Sequence, residues 1–469
     1  MAKAHFGMIG LGTMGRNFLL NIAEHGVSGV GYDLDASKRE LLLKEGEGMP
    51  VDVGVDLADF LGKLESPRNI MLLVPAGPIV DKVAADLAAH LDDDDLIIDG
   101  GNSHFTDTER REAELSAKGI GFMGIGVSGG EEGARHGASI MPGGRRDYYD
   151  RIETTLQAVS AKVNDEPCVA YMGASSAGHF VKMVHNGIEY GLMQIISETY
   201  DFMQRVLKMD YAAMSATFAE WNNSELNSFL VEITAGVLRK ADPETGNPLV
   251  SMILDTAGQK GTGKWTSQAA MDFGIPIPTI DSAVSMRQIS SQKATRGLIA
   301  SKFESSNSES EPVKATLDDL KQALVSAFIV TYAQGLAMLQ AASTEKNYGL
   351  DLAQIAKIWR GGCIIRSTML EDMRVAYSKD QKLANLILDD KFASVLAENA
   401  GAFRRVIMAF TSDGIPSLCF SSAFSYFQAF RTERLPANLI QAQRDFFGAH
   451  TYQRTDKEGI FHTPDWEVQ

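Results

Sequence analysis

The run Gly10-Leu11-Gly12-Thr13-Met14-Gly15 follows a short apolar stretch, HFGMIG, and opens a periodic, helix-like segment that reaches His25. A G-x-G-x-x-G run between a strand and a helix leaves a chain few options. The first glycine permits a tight turn, the second lets the backbone approach a pyrophosphate, and the third lets helix and strand lie close together. The first amides of the helix then point at an anion. Asp33 ends the next apolar run, VSGVGYD, 18 positions after Gly15, where a carboxylate can accept a hydrogen bond from a ribose 2′-OH. The expectation is a dinucleotide site at the start of an α/β domain.

The runs NIMLLV (69–74), DLIID (95–99), GIGFMGIGVSGG, ASIMPGG and CVAYMG (168–173) continue the series as strands between helical stretches. Such alternation predicts a mostly parallel, doubly wound Rossmann-type sheet over residues 1–176. The carboxylates Asp92–Asp95 read as a solvated loop rather than a metal site. From Ser175 the strand-like runs give way to helical periodicity, and a weak repeat appears at an offset of 138, with Trp221 falling on Trp359. A large all-α domain of duplicated helical units is expected over 177–434, followed by a C-terminal tail, 435–469, laid on another surface. The stretch Gln322–Thr344 has no charge and is long enough to raise the membrane question. Its polar residues Gln322, Ser326, Thr331, Tyr332, Gln334 and Gln340 would be costly against lipid, so a helix buried among helices is the expectation. A net charge of −16 argues against a broad nucleic-acid or anionic-membrane surface. Three scattered cysteines with no metal-binding spacing, and no secretory leader, fit a soluble protein of the reducing cytoplasm.

Lys182, His185, Asn186 and Glu189 stand at i, i+3, i+4 and i+7, on one face of a helix. At the repeat offset their counterparts are Leu320, Ala323, Leu324 and Ala327, so packing this unit does not by itself require polar groups there. A lysine and a carboxylate held together can divide acid and base roles when their environments separate their pKa values. A further stretch, Gly258-Gln-Lys260-Gly261-Thr262-Gly263-Lys264-Trp265, nearly spells a P-loop, but Trp265 replaces the Mg²⁺-binding hydroxyl. An anion loop is consistent with it; an ATPase is not. Arg287, Arg444 and His450 add positive groups to a negative chain.

The motifs GLGTMGRN, IIDGGNS, GVSGGEEGARHGASIMPGG, KMVHNGIEYG, QKGTGKWT and QRDFFGAHTYQR, in that order, make the chain resemble the 6-phosphogluconate dehydrogenase family along its whole length. The resemblance implies oxidative decarboxylation of 6-phosphogluconate to ribulose 5-phosphate, with no metal. It implies Lys182 as general base and Glu189 as the acid toward C1. It implies substrate contacts from Asn102, Ser128, Gly129, Gly130, His185 and Asn186, and a phosphate set of Tyr190, Lys260, Thr262 and Arg287. Arg444 and His450 would complete that set from the partner of a homodimer with composite active sites; a tetramer is left open. The cofactor would lie on Gly10, Leu11, Gly12, Thr13, Met14, Gly15, Asp33, Leu34, Asp35, Val74, Ala76 and Asn102. Members that use NADP end the second strand with Asn-Arg-Ser/Thr, and here Asp33, Leu34 and Asp35 stand instead. NAD is therefore the expected cofactor, with NADP the alternative. A shorter β-hydroxyacid dehydrogenase shares the glycine turn and a catalytic lysine but would lack the second helical copy and the tail. A catalytically dead relative would have lost Lys182 or Glu189, and both stand.

Overall fold

A computed structural model of the chain describes residues 3–303 and 313–466; the extreme ends of the expected first domain and of the tail lie outside these. Short apolar runs form the strands β1 (Phe6–Ile9), β2 (Gly29–Tyr32), β3 (Val51–Val53), β4 (Asn69–Leu72), β5 (Leu96–Asp99), β6 (Gly121–Val127) and β7 (Ile140–Gly143). They make one sheet in the order β3-β2-β1-β4-β5-β6-β7, parallel throughout except that β7 runs against β6. Helices α1 (Thr13–Glu24), α2 (Ala36–Glu45), α3 (Leu57–Gly62), α4 (Pro78–Ala88), α5 (Phe105–Ser116), α6 (Gly130–His136) and α7 (Arg146–Val159) accompany the strands. Burial on both faces of the sheet explains why β1 and β6 are apolar along their whole length, and β5 as far as Asp99, rather than alternating.

Three readings of this region need correction. CVAYMG is no strand; it touches the sheet only through isolated bridges, Val169 to Ile140 and Gly173 to Gly143. Val51–Val53, too short to stand out as a pattern, is the edge strand β3. The Asp92–Asp95 run is not wholly solvated: Asp95 is buried and accepts hydrogen bonds from the Arg68 guanidinium at 2.6 Å and from the Arg68 amide at 2.5 Å. A carboxylate can be buried there because a buried charge is tolerated when it is paired and hydrogen-bonded.

The second half is helical: α8 (Ala177–Arg205), α9 (Tyr211–Trp221), α10 (Phe229–Arg239), α11 (Leu249–Met252), α12 (Thr262–Asp272), α13 (Pro278–Ser291), α14 (Lys293–Lys302), α15 (Leu317–Glu345), α16 (Leu352–Ile358), α17 (Met369–Lys379), α18 (Asp390–Ser412), α19 (Leu418–Phe430) and α20 (Ala437–Gly448). Helix α15 is long and apolar enough to cross a membrane by length and composition alone, but 89% of its most apolar window is buried inside the protein. It is the core helix of this half.

The duplication is real, with a different offset. Helices α8 and α15 have 29 residues each and begin 140 apart; α10 and α17, and α13 and α19, also begin 140 apart. The two copies face each other about a local two-fold. A Cβ on Gly191 would meet Thr331, its own equivalent, at 2.7 Å, and the Cys419 thiol lies 3.3 Å from the carbonyl of its equivalent, Thr279. The tryptophans match at 138 because α9 and α16 begin 141 apart, α16 has seven residues against eleven, and Trp359 falls one residue past its end while Trp221 ends α9. The counterparts of Lys182, His185, Asn186 and Glu189 are thus Gln322, Val325, Ser326 and Ile329. None of these is charged, so the four positions in α8 still stand apart from what packing needs.

Helix α8 joins the halves. A Cβ on Gly126 would sit 2.4 Å from Cβ of Lys182, and one on Gly143 would sit 2.2 Å from the amide nitrogen of Gly178. Glycine at these sheet positions lets α8 lie against β6 and β7, which delivers its polar stripe to the ends of the strands.

Candidate active site

Two cavities adjoin at the carboxyl ends of the strands, where β1 is flanked by β2 on one side and β4 on the other. In open α/β sheets such a reversal of strand order leaves a crevice for ligands. The first, of about 800 Å³, is lined by Gly10, Gly12, Thr13, Met14, Asp33, Leu34 and Lys38, and across from them by Ile79, Lys82, Val83 and Asp86 of α4. The second, of about 1120 Å³, is lined by Ala76, Asn102, Asn186, Glu189, Tyr190, Lys260, Thr262 and Arg287 among others. Met14, Leu73, Val74 and Pro75 line both, so a ligand can run from one into the other.

The glycine turn fits a dinucleotide. Gly10 has φ +93°, and a Cβ on Gly15 would fall 1.9 Å from the Gly10 carbonyl oxygen, so neither position admits a side chain. A Cβ on Gly12 would meet nothing within 4 Å, so the backbone there faces open space. No side chain caps the start of α1, which leaves its first amides for a phosphate. Leu11 and Gly15 build the turn without lining the cavity: the Leu11 amide donates to Asp33 Oδ2 at 2.8 Å. Asp35 is turned to another task. Its carboxylate caps α2 by accepting from the Ser37 amide at 3.0 Å. Leu34 is 86% exposed.

On α8, the Lys182 ammonium donates to Asn186 Oδ1 at 3.0 Å, and His185 Nδ1 lies 3.0 Å from the same oxygen. His185 Nε2 lies 3.4 Å from Ser128 Oγ, at the end of β6. With Nδ1–H donating, Nε2 is left to accept from the serine hydroxyl, and burial, then the neighbouring Lys182, hold the ring neutral well below the usual histidine range. Burial lowers the Lys182 pKa, opposed by Glu189, and burial raises that of Glu189, opposed by Lys182 and Arg287. Each shift favours the neutral form. Gly129 and Gly130, at φ +103° and +61°, turn the chain from β6 into α6 beside Ser128.

Tyr190 is buried, and the Arg287 guanidinium stacks 3.5 Å from its ring centroid while donating to the Gly258 carbonyl at 3.1 Å. That bond ties Arg287 to the loop that carries Lys260 and Thr262. Arg444 and His450 do not reach this cavity. They lie exposed on and after α20, and the Arg444 guanidinium donates to Gln441 Oε1 at 3.0 Å. Among residues not anticipated, Ile79, Lys82, Val83 and Asp86 follow an i, i+3, i+4, i+7 stripe that the sequence displays. Trp265 lines the second cavity and packs edge-on against His104 with centroids 5.0 Å apart, and only the fold brings those two together.

A glycine-turn dinucleotide site continuous with a cavity lined by Glu189 and by Asn186, to which the buried Lys182 donates, defines a nicotinamide-dependent dehydrogenase. Residues 5–173 match the family described as the NAD binding domain of 6-phosphogluconate dehydrogenase, and residues 178–466 match its C-terminal domain. A Bacillus subtilis protein named 6-phosphogluconate dehydrogenase, NADP(+)-dependent, decarboxylating, is 49% identical over 99% of this chain and 100% of its own. The decarboxylating 6-phosphogluconate dehydrogenase of Rattus norvegicus is 47% identical over 99% and 97%. The solved Plasmodium falciparum 6-phosphogluconate dehydrogenase, described in apo form, with its cofactor NADP+ and with its substrate 6-phosphogluconate, superposes with a TM-score of 0.93 at 42% identity, over 98% of this chain and 99% of that one. The chain belongs to the 6-phosphogluconate dehydrogenase family, and it is a decarboxylating oxidoreductase.

Proposed function

We propose that this chain converts 6-phosphogluconate to ribulose 5-phosphate and CO₂ with Lys182 and Glu189 as its acid–base pair. The observation that carries the reading is the stripe of α8, in which Lys182 and Glu189 are both pushed toward their neutral forms beside a cavity whose lining includes the cationic Lys260 and Arg287. Neutral Lys182 takes the proton of the C3 hydroxyl; a nicotinamide cofactor held over Gly10, Gly12, Thr13 and Met14 would supply the acceptor for the C3 hydride. The β-keto acid loses CO₂ while Lys182, now an ammonium, returns its proton to the developing oxyanion at C3. Such a fixed donor supplies stabilisation where negative charge appears. Protonated Glu189 then delivers a proton to C1 of the enediol, and Lys182 recovers the hydroxyl proton as the ketone forms. Ser128, Gly129, Gly130, His185, Asn186 and Asn102 hold the carboxylate and hydroxyls; Tyr190, Lys260, Thr262 and Arg287 hold the phosphate.

NAD is the preferred cofactor in this reading. Asp33 lines the dinucleotide cavity with a carboxylate able to accept from a free 2′-OH, Leu34 offers no charge, and Arg39 is spent on the backbone carbonyl of Asp33. A phosphate next to Asp33 would meet like charge, which costs several kcal/mol when desolvated. Two observations favour the second reading, NADP: Lys38 lines the same cavity with its ammonium 3.4 Å from Asp33 Oδ2, and the Bacillus subtilis relative is named NADP(+)-dependent. The proposal includes the division at 176 and 434, a cytoplasmic setting, and a homodimer in which Arg444 and His450 reach the partner's phosphate site. The test is kcat/KM for both cofactors, in wild type and in Asp33→Asn, Leu34→Arg, Asp35→Ser. Higher kcat/KM with NAD, reversed or erased by the triple change, is expected; wild-type preference for NADP establishes the second reading.

A further inference from the structure

The last stretch of the described chain has a form that no hydrophobic core explains. After α20 the chain turns back, and Tyr452 and Phe461 exchange two backbone hydrogen bonds of 2.8 Å. Leu439, Ile440, Phe446, Phe447 and Ile460 of this arm are all exposed. One side chain is the exception: Asp445 is fully buried. Its Oδ1 accepts from the Thr451 amide at 3.0 Å and from His462 Nδ1 at 2.9 Å; its Oδ2 accepts from the Thr463 amide at 3.0 Å and from Trp466 Nε1 at 2.9 Å. A carboxylate with two donors on each oxygen joins the helix to both returning segments. Burial alone would raise its pKa, but the four donors outweigh that and hold it well below the usual carboxylate range.

The consequence falls on the two neighbours assigned to phosphate. Arg444 precedes Asp445, and its guanidinium is held by Gln441, whose own amide nitrogen donates to the Thr451 carbonyl at 2.5 Å. His450 stands between Ala449 and Thr451, which lie at φ +49° and +58°. Non-glycine residues keep such angles only where surrounding bonds impose them. Here the imposing bond is the one from Thr451 to Asp445.

We propose that Asp445 is a positioning residue that shapes the arm, so that Arg444 and His450 present one anion-binding surface to a second copy of this chain. The inference rests on the reading that the arm works in trans. Its test uses full-length Asp445→Asn, in which an amide nitrogen faces N–H donors and two of the four acceptor sites are lost. KM for 6-phosphogluconate rises at least about tenfold, while the dissociation constant for the nicotinamide cofactor stays at the wild-type value, because the arm lies outside that cavity. In verified heterodimers with Lys182→Met, one site combines an intact Lys182 with an intact arm, and the wild-type KM returns. An Asp445→Asn KM equal to wild type overturns the inference. So does a heterodimer that stays impaired when an Arg444→Ala/Lys182→Met heterodimer recovers; if neither recovers, the trans reading itself fails. Should Asp445→Asn not accumulate folded, Trp466→Phe removes one donor alone and raises KM at least about twofold; an unchanged KM there also overturns the inference.

Discussion

Lys182 and Glu189 differ from ordinary surface residues chiefly in their surroundings. Both lie in α8 where Gly126 lets the helix close on the sheet, and burial moves their pKa values toward each other. In the proposed mechanism the reactive pair is neutral Lys182 with protonated Glu189. Lowering the lysine pKa carries the acid limb of kcat/KM below the range of a free lysine, and raising the glutamate pKa carries the alkaline limb upward. Glu189→Gln should therefore lose the alkaline limb and keep the acid limb, with kcat reduced; a variant that retains both limbs contradicts the assignment. Lys182→Met should lower kcat by about 10²–10⁴-fold and leave cofactor affinity unchanged in a direct titration. More than about a tenth of wild-type turnover would remove Lys182 from its role. The one-face spacing of the four residues was legible in the sequence because helical periodicity is local. That Asn186 Oδ1 serves both Lys182 and His185 was not, since side-chain rotamers are set by tertiary packing.

Duplicated elements allow a direct comparison of how one task is solved twice. At the start of α13, Gln334 accepts from the Thr279 amide at 2.9 Å; at the equivalent start of α19, Glu198 accepts from the Cys419 and Phe420 amides at 3.0 and 2.9 Å. Glu198 is buried, and burial raises its pKa to about 7 despite those bonds. A carboxyl whose folded pKa lies above its unfolded value costs stability once ionised, so the loss develops between about pH 4.5 and 7 and persists above. Its full size is about 3 kcal/mol. Glu198→Gln, the solution α13 already uses, should thus gain stability relative to wild type in urea unfolding at pH 8.5 compared with pH 5. A difference that does not change with pH would contradict this. The long apolar helix α15 and most strands were readable because each is a sustained pattern. The edge strand β3 has three residues, too few for any periodicity, while CVAYMG has strand composition but finds only single bridges beside β7. The repeat was visible through its tryptophans, yet a helix shortened next to Trp359 shifted the offset by two.

Across the whole molecule, one chain supplies a dinucleotide turn, the proposed acid–base stripe and most of the proposed phosphate pocket, but holds Arg444 and His450 on an arm that does not enter its own cavity. Exposed apolar side chains along that arm, Leu439, Ile440, Phe446 and Phe447, are what a surface awaiting another copy would carry. The composition of the tail was legible; its folding about Asp445 was not, because the carboxylate gathers donors up to 21 residues away. The central claim is that a working site takes its acid–base pair from one chain and two phosphate ligands from another. It is tested most directly by mixing Arg444→Ala and Lys182→Met chains, each nearly inactive, and assaying purified heterodimers with 6-phosphogluconate. A two-fold dimer so mixed has one intact site and should recover about half of wild-type turnover with the wild-type KM. Heterodimers as inactive as their parents would contradict it.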